Sequence, residues 1–349
     1  MKLTIPLTAA LTAASLLFIQ PLGSAAASPA PIQRKEAVKA QAAAPNPFDQ
    51  RRELYDKLSI VTQVPWHWIA AVDQYERTMS KVKPKARPML GSTVGVFIEQ
   101  EQWAGILNPD VEDSAPVSIR WFNGMGRDGD GNGQADRKND FDLLYSLVNR
   151  ISSYGSTDED FSIGLWEYYQ SSRSVQRIQQ FSRIYSAFGQ LDLFEHAFPV
   201  PLGANYSYRD TWGAGRGWGG RRSHEGTDIF AAHGVPVRST CYGIVEIKGW
   251  NPFGGWRIGI RDLNNHYHYY AHLSGFDKAI GVGDVVKPGQ VVGWVGSSGY
   301  GKPGTQGKFP PHLHYGVYSD RGMIEWAFDP YPMLRKWEQT ERAKKRSKK

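Results

Sequence analysis

The residues best suited to chemistry are histidines and an aspartate in two short clusters. His224 and Asp228 lie four residues apart around Gly226, and a glycine there lets the chain turn so that both side chains converge. His312 and His314 are two residues apart, so in a strand both imidazoles would project from one face of a sheet. Two imidazoles and one carboxylate can hold a catalytic zinc ion whose fourth position stays open to water.

A further histidine, His272, ends a separate β-rich stretch. With three ligands on zinc, two histidines remain to transfer protons and to stabilise developing charge. Each cluster alone is a weak signal, because a His-x-His strand is often ordinary surface or core. Together the clusters favour a zinc-dependent hydrolase.

The elements that must position these residues change in character near Pro199. Before it, apolar residues recur at three- and four-residue spacing in segments 54–61, 66–75, 143–151 and 175–188. After it, short β-rich runs separated by Gly, Asn and Pro turns occur at 234–247, 256–262, 266–272, 285–295 and 312–318. We predict a multidomain protein, with a mostly α domain at 48–198 and an all-β antiparallel domain at 199–333.

Four ordered motifs of the β region resemble the lysostaphin-type zinc metallopeptidases, also called the LytM domain. The motifs occupy residues 224–228, 270–274, 287–299 and 311–314, and the resemblance covers roughly residues 200 to 333. It implies that His224, Asp228 and His314 bind zinc. It also implies catalytic roles for His272 and His312, with His312 favoured as the group that orients or deprotonates the attacking water.

Two features of the β region depart from that family pattern. Residues 300–310 form a longer link than the family uses, and we expect this insertion to border the cleft and influence substrate choice. His266 and His268 have strand spacing but do not match the ligand positions. We interpret them as cleft-wall or surface residues.

The helical region contains a possible calcium loop. Asp128, Asp130, Asn132 and Asp136 follow the spacing of a calcium-binding loop, although its last position holds Asn139 instead of glutamate. The alternative is an Asp/Gly-rich turn without metal. Because oxygen ligands are so dense here, we favour Ca²⁺ at this loop.

Residues 64–76 resemble the lysozyme-like fold of lytic transglycosylases, in which a glutamate at the position of Glu76 is the general acid. Arg77 follows where that family has serine, so we predict a binding or scaffolding domain rather than a second enzyme. The pairing of this domain with the β domain resembles peptidases of spore-forming bacteria. Those peptidases cleave the L-Ala–D-Glu bond of peptidoglycan stem peptides in the spore cortex.

The N-terminus predicts export. Lys2 precedes an apolar run at 3–19 and three alanines at 25–27, which is typical of a signal peptide at 1–27, and residues 28–47 are typical of a flexible linker. We expect a protein secreted to the cell wall or outside the cytoplasmic membrane, without a stable span once the signal is removed and anchored if it is not. Export makes nucleic acid the least expected partner.

Charge and cysteine content set further bounds. The chain of 349 residues has a net charge of +7, and much of the excess lies in the basic C-terminal tail at 334–349. This tail could bind anionic wall polymers or could be a solvated terminus. Cys241 is the only cysteine, which excludes an intramolecular disulfide.

The sequence therefore predicts a zinc-dependent endopeptidase that hydrolyses peptidoglycan stem peptides, with the L-Ala–D-Glu bond as its proposed target. The alternative is a non-catalytic peptidoglycan-binding scaffold or activator of another wall hydrolase. A third hypothesis is a glycan-cleaving enzyme that uses Glu76.

Overall fold

The computed structural model describes residues 46–82, 88, 91–217 and 220–347. The predicted signal peptide and all but the last two residues of the predicted linker lie outside these described residues. Residues 45–349 form one compact unit. Among the described helices, none combines the length and the apolar composition that a membrane span requires.

The first part of the chain is helical, as the apolar spacing predicts. Asn46 caps the first helix, because its side chain accepts a hydrogen bond from the backbone of Phe48. The helices are α1 (Pro47–Thr62), α2 (Trp66–Ser80), α3 (Gln100–Ala104), α4 (Pro116–Trp121), α5 (Asp140–Ile151), α6 (Asp158–Tyr169) and α7 (Ser172–Phe188). The four predicted helical segments lie within α1, α2, α5 and α7. The predicted lysozyme-like relationship of this region stays a prediction.

The second part is an antiparallel sheet. Its strands, with those of a separate two-stranded hairpin, are β1 (Tyr206–Tyr208), β2 (Gly215–Arg216), β3 (Arg222–Ser223), β4 (Thr227–Ala231), β5 (Pro236–Arg238), β6 (Gly243–Asn251), β7 (Gly255–Asp262), β8 (His266–Phe276), β9 (Val285–Val286), β10 (Val291–Val295), β11 (His312–Asp320) and β12 (Glu325–Phe328). The main sheet runs in the order β1-β4-β11-β8-β7-β6-β9, and β2 pairs only with β3. The predicted run at 285–295 is divided into β9 and β10, because Gly289 turns the chain with a φ of 81°.

A buried ionic network joins helix α7 to the sheet. Arg177, which is 5% exposed, donates to Asp320 at 3.0 Å, to Glu246 at 2.5 Å and to Glu325 at 3.1 Å. Arg261 of β7 donates to the same Glu246 at 3.0 Å. Paired and hydrogen-bonded in this way, the buried charges join helix α7 to strands β6, β11 and β12.

The C-terminal segment is more ordered than a solvated tail. Helix α8 (Tyr331–Arg346) includes most of the residues assigned to the predicted basic tail. Leu334 and Trp337, three residues apart on one face, are buried in the core of the sheet. Glu338 accepts hydrogen bonds of 2.6 Å from the hydroxyls of Tyr206 and Tyr208, which fixes this helix against β1.

Candidate active site

Strand register brings the predicted zinc ligands together. In the antiparallel pairing of β4 with β11, His314 lies directly opposite Asp228, and on its other side β11 pairs His314 with Ala271 of β8. Ala271 is the partner of His314, so His272, which follows Ala271 on β8, lies close to His314 as well. His312, two residues before His314, projects from the same face of β11.

The turn before β4 supplies the remaining ligand. His224 is buried, at 3% exposed, and precedes Gly226 in the connection to β4. A Cβ at Gly226 would lie 2.6 Å from Cε1 of His314 and 2.6 Å from the carbonyl oxygen of Tyr315. The glycine predicted to allow a sharp turn is thus required for a second reason, which is the close approach of β11.

Three ligand atoms form a compact triangle. Nε2 of His224 lies 2.8 Å from Nδ1 of His314 and 3.0 Å from Oδ1 of Asp228, and the third side, from Nδ1 of His314 to Oδ1 of Asp228, is 3.1 Å. Ligands of a tetrahedral zinc ion at bonds near 2.0–2.1 Å are separated by about 3.3 Å. The nitrogen and oxygen donors and their spacing both fit zinc, and a group of three leaves a fourth position free.

Backbone and hydroxyl groups orient two of these ligands. Nδ1 of His224 is 2.8 Å from the carbonyl oxygen of Thr211, so this nitrogen is the donor and Nε2 keeps a lone pair for a metal. The Thr211 hydroxyl accepts from the backbone N–H of Asp228 at 3.2 Å. One residue therefore orients two ligands from outside the metal shell.

The two candidate catalytic histidines are held in the same way. Nδ1 of His272 lies 2.8 Å from the carbonyl oxygen of Ser298, and Nδ1 of His312 lies 2.9 Å from that of Pro310. Each ring thus donates from Nδ1 and keeps Nε2 unprotonated for chemistry. Nε2 of His312 is 3.7 Å from Oδ1 of Asp228, which places it beside the metal ligands without joining their triangle.

His272 has a strained backbone. Its φ of 62° lies in the left-handed region, which costs a residue other than glycine about 1–3 kcal/mol. The centroid of its imidazole ring lies 4.7 Å from that of the Phe309 ring and 5.8 Å from that of the Tyr300 ring. Both aromatic residues belong to the predicted insertion. The insertion therefore borders the cleft and walls in one of the candidate catalytic groups.

Burial sets the protonation of the cluster. It lowers the pKa of His272 to about 3, aided by the charges of His314 and His312. It also lowers the pKa of His312 and of His314, against the opposing charge of Asp228. Burial alone would raise the pKa of Asp228, but its close contacts with the imidazoles of His224 and His314 lower that pKa well below its usual range. Neutral imidazoles and an ionised carboxylate are the forms that bind a metal.

The cluster opens into a cleft of about 540 Å³. Its aromatic lining consists of Phe230, Phe253, Tyr269, Tyr300, Phe309 and Tyr318. Two arginines, Arg216 and Arg222, line the same cleft and were not predicted from the sequence. They lie just before His224 in a glycine-rich stretch with no recognisable spacing, so only folding reveals their position.

The interpretation of His268 as a cleft-wall or surface residue was wrong. His268 is fully buried, with Nε2 at 3.1 Å from Asp262 and Nδ1 at 2.7 Å from the hydroxyl of Tyr315. It lies three register positions along β8 from Ala271, opposite Val317 of β11 and away from the metal ligands. A strand that is buried on both faces gives no alternation from which this could be read.

The calcium-loop residues come together only in part. Asp128 and Asp130 lie close enough to Asp142 for the three carboxylates to share an ion. Asp142 was not in the predicted set. The side chain of Asn132 instead donates to Asp130 at 3.1 Å, and Asp136 accepts from the backbone of Lys138 at 2.8 Å.

Glu76 lies in the helical region at the end of helix α2. Its carboxylate accepts a hydrogen bond of 2.5 Å from the hydroxyl of Tyr169 on α6. It does not line the cleft of the metal cluster. A catalytic role for Glu76 stays a prediction.

Comparison with known proteins identifies the family and the relatives that this chain resembles. The family model described as peptidase family M23 matches residues 222–326. The L-Ala–D-Glu endopeptidase of Bacillus subtilis (strain 168) is 56% identical over 299 residues, which is 86% of this chain and 91% of that protein. Lysostaphin from Staphylococcus simulans is 34% identical over 139 residues, 39% of this chain and 23% of that protein. A solved structure of the same lysostaphin is 32% identical, with a TM-score of 0.33, and covers 41% of this chain and 55% of that one.

Proposed function

The chain belongs to peptidase family M23, and from this premise we propose that it is a zinc-dependent endopeptidase that hydrolyses the L-Ala–D-Glu bond of peptidoglycan stem peptides. The observation that carries the proposal is the triangle of His224, Asp228 and His314, with sides of 2.8–3.1 Å at the floor of a cleft. All three predicted zinc ligands lie in this triangle. The extent of the match to the Bacillus subtilis relative, over 86% of this chain, supports the choice of bond.

Each residue has a distinct task in the proposed reaction. His224, Asp228 and His314 would hold zinc, which supplies Lewis acidity at the scissile carbonyl and lowers the pKa of bound water to about 7. Nε2 of His312 accepts the proton of the attacking water, because its Nδ1 is already committed to a carbonyl. Nε2 of His312 then returns that proton to the leaving amine, and His272, which lines the same cleft, would contact the tetrahedral intermediate as the second catalytic histidine.

The place of action follows from the proposed substrate. Peptidoglycan lies outside the cytoplasmic membrane, so the protein would act after export, in agreement with the predicted signal peptide. A role in the spore cortex and contact of the basic C-terminal helix with anionic wall polymers belong to this proposal. The run of cations in the last turn of α8 supports the contact with anionic polymers, and the spore-cortex role rests on the sequence resemblance alone.

Calcium would bind to a changed set of ligands. The proximity of the Asp128, Asp130 and Asp142 carboxylates supports adding Asp142 to the predicted ligands. Thermal unfolding measured with and without Ca²⁺ tests this. Stabilisation of the wild type that Asp130→Asn abolishes would support binding, and equal curves would remove calcium from the account.

The experiment for the main proposal is digestion of purified peptidoglycan by the zinc-loaded protein, followed by mass spectrometry. We expect products with a new N-terminal D-Glu, and none after chelation. New sugar ends that persist without zinc would instead support the glycan-cleaving hypothesis with Glu76. Binding without cleavage would support the non-catalytic scaffold.

A further inference from the structure

Two arginines face each other at the edge of the catalytic cleft. Arg216 of β2 and Arg222 of β3 are directly opposite in the register of the hairpin, and both line the cleft. Like charges placed directly opposite on paired strands are destabilising. Because Asp228 already pairs with Arg216, the charge that a bound anion would still neutralise is that of Arg222.

The hairpin is fixed relative to the metal ligands. The backbone N–H of Gly213 donates to the carbonyl of His224 at 2.9 Å, and the N–H of His224 donates to the carbonyl of Ala214 at 2.9 Å. These bonds join the segment that enters β2 to a zinc ligand. The arginine pair is thus placed by the same backbone that builds the metal site.

The two guanidinium groups differ in what they already contact. Arg216 donates to Oδ2 of Asp228 at 2.5 Å. Arg222 is exposed and has no ion pair with any residue in the described ranges. Its guanidinium carbon lies 5.3 Å from the centroid of the Phe253 ring. Stacking on an aromatic ring orients the guanidinium plane while leaving its N–H groups free for a ligand.

Of the two arginines that line the cleft, Arg216 is paired with Asp228 and Arg222 has no ion pair in the described ranges, so Arg222 is the group that favours a carboxylate ligand. The other charged lining residues of the cleft are Glu225 and Asp228, and Asp228 is committed to the metal. Arginine binds carboxylates through two parallel N–H···O bonds, which is a strong and geometrically selective contact. A carboxylate of the substrate close to the scissile bond would therefore meet Arg222 first.

The proposed substrate has such a group. A D-Glu residue that donates the scissile nitrogen carries two carboxyl groups, of which one continues the peptide and the other stays free. Resting on the proposed function, we infer that Arg222, with Arg216 beside it, forms a subsite for this free carboxylate and selects D-Glu on the C-terminal side of the cleaved bond. The aromatic cleft positions the peptide, and the arginine pair recognises its charge.

The test compares two peptides that differ only at this carboxyl. One contains L-Ala–D-Glu with the carboxylate free, and in the other it is amidated. We expect the zinc-loaded wild type to cleave the free acid with a kcat/KM about tenfold or more above that of the amide. Arg222→Gln should lower kcat/KM for the acid to the level of the amide, with a much smaller fall for the amide.

Two further variants sharpen the result. Arg222→Lys keeps the charge but loses the paired N–H groups, so its preference for the acid should fall between those of the wild type and Arg222→Gln. Arg221→Gln removes the same charge from a neighbouring exposed residue that does not line the cleft, and it should keep the wild-type preference. Zinc content and thermal unfolding establish that each variant is folded and loaded.

Failure of the subsite is distinguishable from failure of the proposed function. Equal cleavage of both peptides by the wild type, or a preference that survives Arg222→Gln, would overturn the subsite while leaving the peptidase intact. An equal fall on both peptides in Arg222→Gln would also overturn it, because the arginine would then support the cleft without reading the charge. If the zinc-loaded wild type cleaves neither peptide at this bond, the proposed function fails instead.

Discussion

Asp228 and His314 occupy directly opposite positions on neighbouring antiparallel strands, with Nδ1 of His314 at 3.1 Å from Oδ1 of Asp228. Two of the three candidate zinc ligands are therefore brought together by sheet pairing. Opposite residues of an antiparallel pair alternate between hydrogen-bonded and non-hydrogen-bonded positions, and the backbone ladder fixes the register of both kinds. The site is consequently as rigid as the sheet, and substitutions at it should affect metal binding more than folding.

Replacing His314 should remove the metal. His314→Ala takes one of three ligands from the triangle, and we expect bound zinc to fall from about one ion per chain to near none, with peptidase activity lost in parallel. Zinc is measured by elemental analysis after dialysis. His233→Ala, at an exposed position outside the cleft, is the control. Full zinc content in His314→Ala would show that this residue is not a ligand.

Gly226 should not tolerate a side chain. Gly226→Ala places a Cβ 2.6 Å from both the ring of His314 and the backbone of Tyr315, so strands β4 and β11 must separate. We expect a cost of about 1–3 kcal/mol, with a similar loss in zinc affinity. Gly203→Ala, where a Cβ has open space, is the matched control. Equal zinc affinity in the two variants, measured by competition with a chelator, would contradict the close approach.

The pH profile should have an acid limb below the ordinary pKa of histidine. Burial lowers the pKa of His272 to about 3 and lowers that of His312, so both rings stay unprotonated as the pH falls through 6.5. We expect kcat/KM to hold at pH 6.5 and to decline only at lower pH. Zinc content is measured at each pH to separate protonation from metal loss. Because zinc-bound water itself ionises near pH 7, the two rings are also followed by NMR, and a ring that titrates at or above pH 6.5 would be inconsistent with buried, neutral histidines.

Disruption of the ionic network at α7 should destabilise the protein. Arg177→Ala leaves Asp320, which is 4% exposed, and Glu246 without their shared partner, at a cost of about 3–5 kcal/mol. Arg173→Ala removes a more exposed arginine that lies 3.6 Å from Asp320, and should cost less than about 1 kcal/mol. Urea unfolding measures both. Similar midpoints for the two variants would mean that the network does not stabilise the protein.

The sequence predicted most of what defines the chemistry. Spacing identified the strand of His312 and His314 and the turn around Gly226, because periods of two and glycine turns are local properties of the chain. The lysostaphin-type resemblance is confirmed by the family match at residues 222–326. The choice between His312 and His314 as ligand depended on that resemblance, since both residues project from one face.

What the sequence did not predict depends on distant contacts. Thr211, Ser298 and Pro310 orient the histidines through backbone carbonyls, and a carbonyl carries no sequence signal. Asp142 lies in the first turn of helix α5 and comes close to Asp128 and Asp130 of the acidic loop. His268 is buried by contacts with Asp262 of β7 and Tyr315 of β11. Arg216 and Arg222 face the cleft only because the hairpin pairs them.

The most direct measurement for the account as a whole is an anomalous difference map of zinc-loaded crystals at the zinc absorption edge. We predict one strong peak bonded to Nε2 of His224, Oδ1 of Asp228 and Nδ1 of His314, with the fourth position directed into the cleft. A peak held by other residues, or none among these three, would contradict the zinc peptidase mechanism.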